Sequence, residues 1–318
     1  MDIIGKRRWF YILSALVILA GIVSLAIPPS LRAGIEFTSG SAMEITFVRP
    51  VTEGEIRDQM TALGHPEAII QKMGDNAVLI RTMRLKPAEQ DSQGNVITPA
   101  EHIKIGEALA ANVAPIVGTP AFTDVSPIVA RETVRNAAIA VAVAAVAILV
   151  YITWAFRRVP KSFRYGVSAT VALAHDILVL IGIYSILGRF MNLEISSMFI
   201  VGILTLVGYS VNDTIVVFDR LRENVARNVE RPLWQVVNES ILQTMGRSLN
   251  TGITTLIVLL ALLMLGGATI QPLIVLFVIG IITGTYSSIF VASALLVSWE
   301  SGDFRKALRF LRLAPARS

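Results

Sequence analysis

Gly208-Tyr209-Ser210-Val211-Asn212-Asp213-Thr214-Ile215-Val216-Val217-Phe218 decides how this chain is read. The stretch is apolar enough to lie in a membrane-crossing helix, yet it sets Asp213 beside Asn212. A carboxylate in hydrocarbon costs about 2.5–3.5 kcal/mol on insertion scales, so such residues face a bundle interior and mark ion or proton paths. Asp213 is therefore the leading candidate functional residue. The competing reading is a purely structural bond to a neighbouring helix, near the end of the span.

Working outward, the 318 residues are 54% hydrophobic and 16% charged, with a mean hydropathy of +0.65. Soluble domains run nearer to about 25% charged, so this is an integral membrane protein. Six stretches, near 9–27, 134–156, 166–187, 195–218, 248–265 and 273–299, are long enough to cross a bilayer, which takes roughly 20 helical residues. They lack the alternation of short barrel strands, and helices satisfy their own backbone in lipid. The expected fold is a polytopic α-helical membrane protein with six transmembrane helices. The first span follows Lys6-Arg7-Arg8 and ends at Ile27-Pro28-Pro29; it is too long for a signal peptide and lacks a small-x-small cleavage pattern, so a retained anchor is expected.

Lysine and arginine in short loops favour the cytoplasm. Lys6, Arg7 and Arg8 precede the first span; Arg157, Arg158, Lys161 and Arg164 fill the second connection; Arg220, Arg222, Arg227 and Arg231 the fourth; Arg305, Lys306, Arg309 and Arg312 follow the sixth. Opposite them stands only Arg189. Both termini are expected in the cytoplasm, and the net charge of +5 reflects this topology rather than nucleic-acid binding. There is no cysteine, which excludes disulfides, thiolate metal sites and a cysteine nucleophile. His65, His102 and His175 show no metal-ligand spacing, so no metal is expected. No phosphate loop, nucleophile elbow or intact dinucleotide turn is present; no cofactor and no enzymatic activity are expected.

Residues 1–29 read as the N-terminus and first span, and 30–133 as an extracytoplasmic α/β domain. Residues 134–299 complete the membrane domain, and 300–318 form a basic tail with Phe304, Leu308 and Leu311 on one face. In the α/β domain a strand is expected over 36–48 and a helix from Thr52-Glu53-Gly54-Glu55 to Gly64-His65-Pro66. Strands follow at 68–72 and 77–82 around Gly74-Asp75-Asn76, then a polar loop over 87–95, a helix from Thr98-Pro99-Ala100-Glu101, and a strand at 121–125. That βαββαβ order is ferredoxin-like. Near 219–246, Leu221, Val225, Val229, Leu233, Val236, Val237 and Ile241 recur at helical spacing among charges. They suggest two amphipathic pieces lying on the cytoplasmic face.

Polar residues within the spans carry the chemistry. Thr205, Tyr209 and Asn212, with Asp213, form one polar stripe on the fourth span. On the fifth, Arg247, Asn250, Thr251, Thr254 and Thr255 share a face. A charge-assisted contact between Asp213 and Arg247 is geometrically plausible. Asp176, beside His175 in the third span, is a second candidate; its alternative is a satisfied interhelical bond. Gly280, Gly284, Ser288 and Ala292 form a small-residue ridge on the sixth span, read as packing.

The run from Gly208 through Phe218 and on through Asp219-Arg220-Leu221-Arg222-Glu223-Asn224 closely resembles the fourth-span signature of the SecF family of bacterial protein-export membrane subunits. Gly34-Ile35-Glu36-Phe37-Thr38-Ser39-Gly40, His175-Asp176 and Gly246-Arg247-Ser248-Leu249-Asn250-Thr251 support the likeness. It implies half of a resistance-nodulation-division transporter, paired with SecD at the SecYEG channel in the bacterial inner membrane. There it would use proton flow to help pull preproteins outward, with Asp213 and Arg247 in the proton path. Two departures stand out: the family pattern has Gly-Gly after Phe-Thr, where this chain has Ser39-Gly40, and Val-Gly-Pro-x-Val-Gly, where it has Val125-Ser126-Pro127-Ile128-Val129-Ala130. The rival readings are a small-molecule or lipid exporter of the same superfamily, and a structural Sec subunit without proton coupling.

Overall fold

The computed structural model describes residues 1–28, 31–90, 96–157, 159–191, 193–228, 230–267 and 270–303. The expected amphipathic tail beyond 303, and Arg158 and Val229, lie outside these. Among the described residues, six helices are long and apolar enough to cross a membrane. They are α1 (Arg7–Ala26) with the short turn before it, α5 (Pro127–Ala155), α6 (Ser162–Met191), α7 (Ser197–Arg227), α8 (Leu233–Leu265), and a sixth unit. In that last unit α9 (Gln271–Ser287) passes through a π-helical turn at Ser288–Ala292 into α10 (Ser293–Glu300).

α6, α7 and α9 make the centre of the bundle, and α1, α5 and α8 lie around it. Small residues set the closest approaches. A Cβ on Gly21 of α1 would come within 2.6 Å of the Gly182 Cα of α6, so those two backbones touch. Beside them Ser24 and Ser185 share a hydrogen bond of 3.0 Å. The ridge on α9 packs inside the chain: Gly280 faces Leu206 and Gly284 faces Ser210, both of α7. It therefore serves internal packing, and Ser288 is more than a packing residue, as its bonds below show.

The amphipathic connection is not a pair of surface-lying pieces. The 31 residues of α7 span about 46 Å, well beyond a hydrocarbon core of about 30 Å, and α8 is longer still. Both helices therefore run beyond the length a span needs, α7 to Arg227 and α8 from Leu233. Leu221, Val236, Val237 and Ile241 are buried there, and Asn224 Nδ2 donates to Ser240 Oγ at 2.9 Å. The apolar stripe thus pairs helix with helix instead of facing lipid.

Between α1 and α5 lies the α/β domain. Strands β2 (Gly40–Thr46), β3 (Ile69–Lys72), β4 (Ala77–Thr82) and β7 (Ala121–Val125) form one antiparallel sheet in the order β3-β4-β2-β7. Helices α3 (Glu53–Ala62) and α4 (Glu101–Asn112) bury Ile56, Met60, Ile105 and Leu109 against Met43, Ile45, Val78 and Ile80 of the sheet. α3 starts with a capping box in which Thr52 and Glu55 exchange bonds. α4 has no side-chain cap; instead the Glu101 carboxylate accepts the Lys86 N–H at 2.8 Å.

Four details depart from the sequence expectation. The strand expected over 36–48 begins only at Gly40, because α2 (Ile35–Thr38) is a helical turn. It ends where Ser39 takes a φ of +66°, a left-handed conformation that glycine adopts freely and serine seldom does. Ser39 thus keeps the turn that the family pattern assigns to glycine. Second, the polar loop holds a short hairpin of β5 (Glu89–Gln90) and β6 (Val96–Thr98). Third, α5 starts at Pro127, ahead of the expected 134, because Ser126 caps it by accepting the Val129 N–H at 3.3 Å. Finally, β1 (Arg32–Ala33) pairs in parallel with β8 (Glu194–Ile195) in the loop between α6 and α7, a link that no local pattern signals.

Candidate functional site

The polar residues of α7 divide between two faces, because successive residues in a helix point about 100° apart. Asp213 is buried, as are Ser210 and Thr214, whereas Thr205 and Asn212 are exposed and Tyr209 is half-buried. The single stripe expected from sequence is thus two features, an inward hydroxyl-carboxylate face and an outward polar one.

On the inward face Asp176 is fully engaged. Its Oδ1 meets His175 Nδ1 at 3.0 Å, and its Oδ2 accepts from Ser210 Oγ at 2.5 Å and Ser287 Oγ at 2.7 Å. Beside it Ser288, in the π-helical turn, bonds to Thr214 at 2.9 Å and donates to the Ser210 carbonyl at 3.2 Å. Such turns often occur at functional sites. The network ties α6, α7 and α9 at the centre of the bundle. An adjoining cavity of about 10 Å³, lined in part by Asp176, Ser210 and Gly280, has room for roughly one water. His175 Nε2 is buried without a partner among the described residues, next to the Tyr286 ring.

Asp213 is only half satisfied. Its Oδ1 accepts from Ser248 Oγ of α8 at 2.6 Å, while its buried Oδ2 has no partner among the described residues. The contact expected with Arg247 is not formed as an ion pair among the described residues; its sequence neighbour Ser248 holds the carboxylate instead. Arg247 turns to the outer surface, one residue before the serine that holds Asp213. Gly252, one turn on, lets α8 close on Thr285 and the Tyr209 hydroxyl.

Arg247 shares its exposed face with Asn250, Thr251 and Thr254. The threonines satisfy themselves, donating back to carbonyls of their own helix: Thr251 to Arg247 at 3.0 Å, Thr254 to Asn250 at 2.8 Å, and Thr205 of α7 likewise to Val201 at 2.8 Å. Such back-bonding is ordinary for mid-helix hydroxyls. A guanidinium and two amides, Arg247 and Asn250 of α8 and Asn212 of α7, remain as exposed polar groups on helices that cross the membrane. The hydroxyls that hold the carboxylates, Ser210 and Ser287 on Asp176 and Ser248 on Asp213, have no such role in the sequence reading, and Ser288, which bonds Thr214, is read there as packing. Isolated serines are common in spans, and only the paired Ser287-Ser288 in an otherwise apolar helix gave any signal.

A helical bundle that buries two carboxylates among hydroxyls in its spans defines a polytopic membrane protein with ionisable groups at membrane depth. The family model described as protein export membrane protein SecD/SecF, C-terminal, matches residues 106–302. The chain is 41% identical to the protein translocase subunit SecF of Thermobaculum terrenum and 35% identical to that of Anaerolinea thermophila, covering 97% and 96% of each pair. It also superposes on the crystal structure of SecDF, a translocon-associated membrane protein from Thermus thermophilus, with a TM-score of 0.79 at 32% identity; the match covers 95% of this chain and 39% of that one. The chain belongs to the SecF family.

Proposed function

We propose that this chain is an accessory subunit of Sec-dependent protein translocation that couples proton flow to export, acting with SecD at the SecYEG channel on preproteins emerging outside. The observation that carries the coupling is Asp213: a buried carboxylate with one oxygen bonded and the other open, at the border of the outward face bearing Arg247. Ionisable groups in spans mark proton paths. The SecDF chain is more than twice as long as the part matched here, so in that protein a half like this one is joined to further chain. SecD would fill the same place here and cover Arg247, Asn250 and Asn212.

The energetics fit a partial drive. One charge crossing 100 mV supplies about 2.3 kcal/mol, while reversing a conformational equilibrium from 1:99 to 99:1 takes about 5.5 kcal/mol. Several protons per stroke, or a partial shift, would therefore be used. A small-molecule exporter is less well supported, since the cavity beside Asp176, about 10 Å³, holds no more than about one water, so no ligand has room at that carboxylate.

In this reading both termini and the α7–α8 connection are cytoplasmic and the α/β domain is outside. The cysteine-free sequence makes this testable: a single cysteine at Asp58 should react with an impermeant thiol reagent from outside, and one at Asp219 only after permeabilisation. The coupling is tested by Asp213→Asn in vesicles carrying SecD and the channel. Export stimulated by a proton gradient should fall to the gradient-free level; full stimulation would overturn the role.

A further inference from the structure

Away from the carboxylates, a cavity of about 680 Å³ opens between the start of α6 and the end of α10. That is the size of a site for a small molecule or a lipid headgroup. Lys161 and Arg164 line it, and both pair with the single carboxylate of Glu300, Lys161 at 2.6 Å. Two cations against one anion leave a net positive site. Arg164 also lies over the Trp299 ring, 5.7 Å from its centroid, and tryptophan concentrates where membrane meets water.

Two further observations mark the site as built. Lys161 has a φ of +61°, a strained conformation for a residue with a side chain; such strain gathers at ligand clamps. Ser168, two turns along α6, lines the cavity, is 1% exposed, and its hydroxyl has no partner among the described residues. Val167, Val171 and Leu295 continue the lining along the helices, so a positive rim at a span's end leads to an apolar wall.

We propose that this cavity binds an anionic phospholipid, its phosphodiester held by Lys161 and Arg164 and one acyl chain lying along Val171 and Leu295. Basic pockets between spans suit such headgroups. A free phosphate would use the cations but not the apolar wall, and that wall, continuous with the membrane face of the bundle, favours the lipid. The inference needs only that α6 and the α9–α10 unit cross the membrane. It does not depend on the proton-coupling reading.

The test is native mass spectrometry of the full chain with added palmitoyl-oleoyl phosphatidylglycerol or phosphatidylcholine at equal concentration. The unmodified protein should retain phosphatidylglycerol preferentially, and Lys161→Ala and Arg164→Ala should each lower that retention about fivefold. Glu300→Gln, which frees both cations without removing them, should raise retention, and it keeps the test decisive if an alanine variant is unstable. Equal retention of both lipids, or a preference untouched in a folded Arg164→Ala variant or in Glu300→Gln, would overturn the site. Displacement of the bound lipid by soluble glycerol phosphate at the same concentration would overturn the lipid as its ligand.

Discussion

Arg81 of β4 and Glu194 of β8 form a buried ion pair that ties the α/β domain to the loop between α6 and α7, their side chains only 8% and 13% exposed. Gln71 accepts a second Arg81 bond at 2.9 Å, and the Glu194 carbonyl accepts from the Tyr184 hydroxyl at 2.9 Å. Burial, with Arg32 adding its charge, pushes the Arg81 guanidinium down to about 10, which still leaves it charged at neutral pH. The pair and the β1–β8 bridge together give the domain a fixed seat on the bundle end of α6, the helix that carries Asp176.

Removing one partner of a buried pair strands the other charge and costs about 3–5 kcal/mol, whereas replacing both with apolar residues is often neutral. Glu194→Ala should therefore lower the thermal stability of the full chain markedly, and Arg81→Met combined with Glu194→Leu should recover most of it. Hydrogen exchange should show β1 and β8 opening in the single variant. If the single variant melts like the parent, the pair contributes nothing to the seat.

Acid should loosen the α/β domain in a defined window. The Thr52 backbone N–H, then Arg49 and the Thr52 hydroxyl, hold Glu55 at about 2, below its ordinary 4.5. Hydrogen bonds likewise hold Glu67 and Glu101 below 4.5, from Thr82 and from the Lys86 backbone respectively. The unfolded chain binds more protons than the folded one in this range, so the stabilisation is complete above about 4.5 and disappears as pH falls toward 2. The domain has its own core, so a fragment of residues 39–126 should fold and melt cooperatively. Its melting temperature should fall from pH 5 to pH 2.5, and Glu55→Gln should flatten that slope; an unchanged slope would remove Glu55 from the account.

Helix contacts give a sharper test of packing. Gly21 and Gly182 meet backbone to backbone, where no side chain can yield. Gly182→Val should therefore separate α1 from α6 and cost at least the roughly 1–3 kcal/mol of an overpacked core, read as a lower melting temperature in detergent. Gly284, against Ser210 within the same chain, should behave alike: Gly284→Leu is expected to be unstable by itself. Selective loss of partner binding with normal stability would return that ridge to an outer interface.

Much of this was legible in the sequence, for identifiable reasons. Spans follow from apolar length alone, and the strands at 77–82 and 121–125 and the Thr52–Glu55 cap follow from local chemistry. What escaped depends on contacts distant in sequence. The β1–β8 bridge joins segments more than 160 residues apart, and the turn at Ser39 looks locally like a strand because Ile35 and Phe37 alternate. The Asp213–Arg247 pairing failed by one residue: both lie where expected along their helices, but rotation brings Ser248 inward and sends Arg247 out. Spacing gives the height of a side chain along a span more reliably than the partner it meets.

The two buried carboxylates should separate by phenotype. Asp176 has a histidine and two serines on its oxygens; leaving a buried polar group without its partner costs about 1–3 kcal/mol, so Asp176→Ala should chiefly destabilise the bundle. Asp213 has one such bond. Asp213→Asn keeps the shape and the Ser248 contact but cannot ionise, so it should preserve expression, melting temperature and SecD association while abolishing gradient-dependent stimulation of export. Asp213→Glu should retain part of it. Ser248→Ala, which leaves both Asp213 oxygens open, should shift the pH at which stimulation is half-maximal without removing it. Arg247→Lys separates two further roles: if the guanidinium makes a planar two-point contact across the partner interface, lysine will fail, and if only its charge acts on Asp213, lysine will serve. Full gradient-dependent completion of export by Asp213→Asn vesicles would reduce this carboxylate to a structural bond and move the coupling to Asp176 or to SecD.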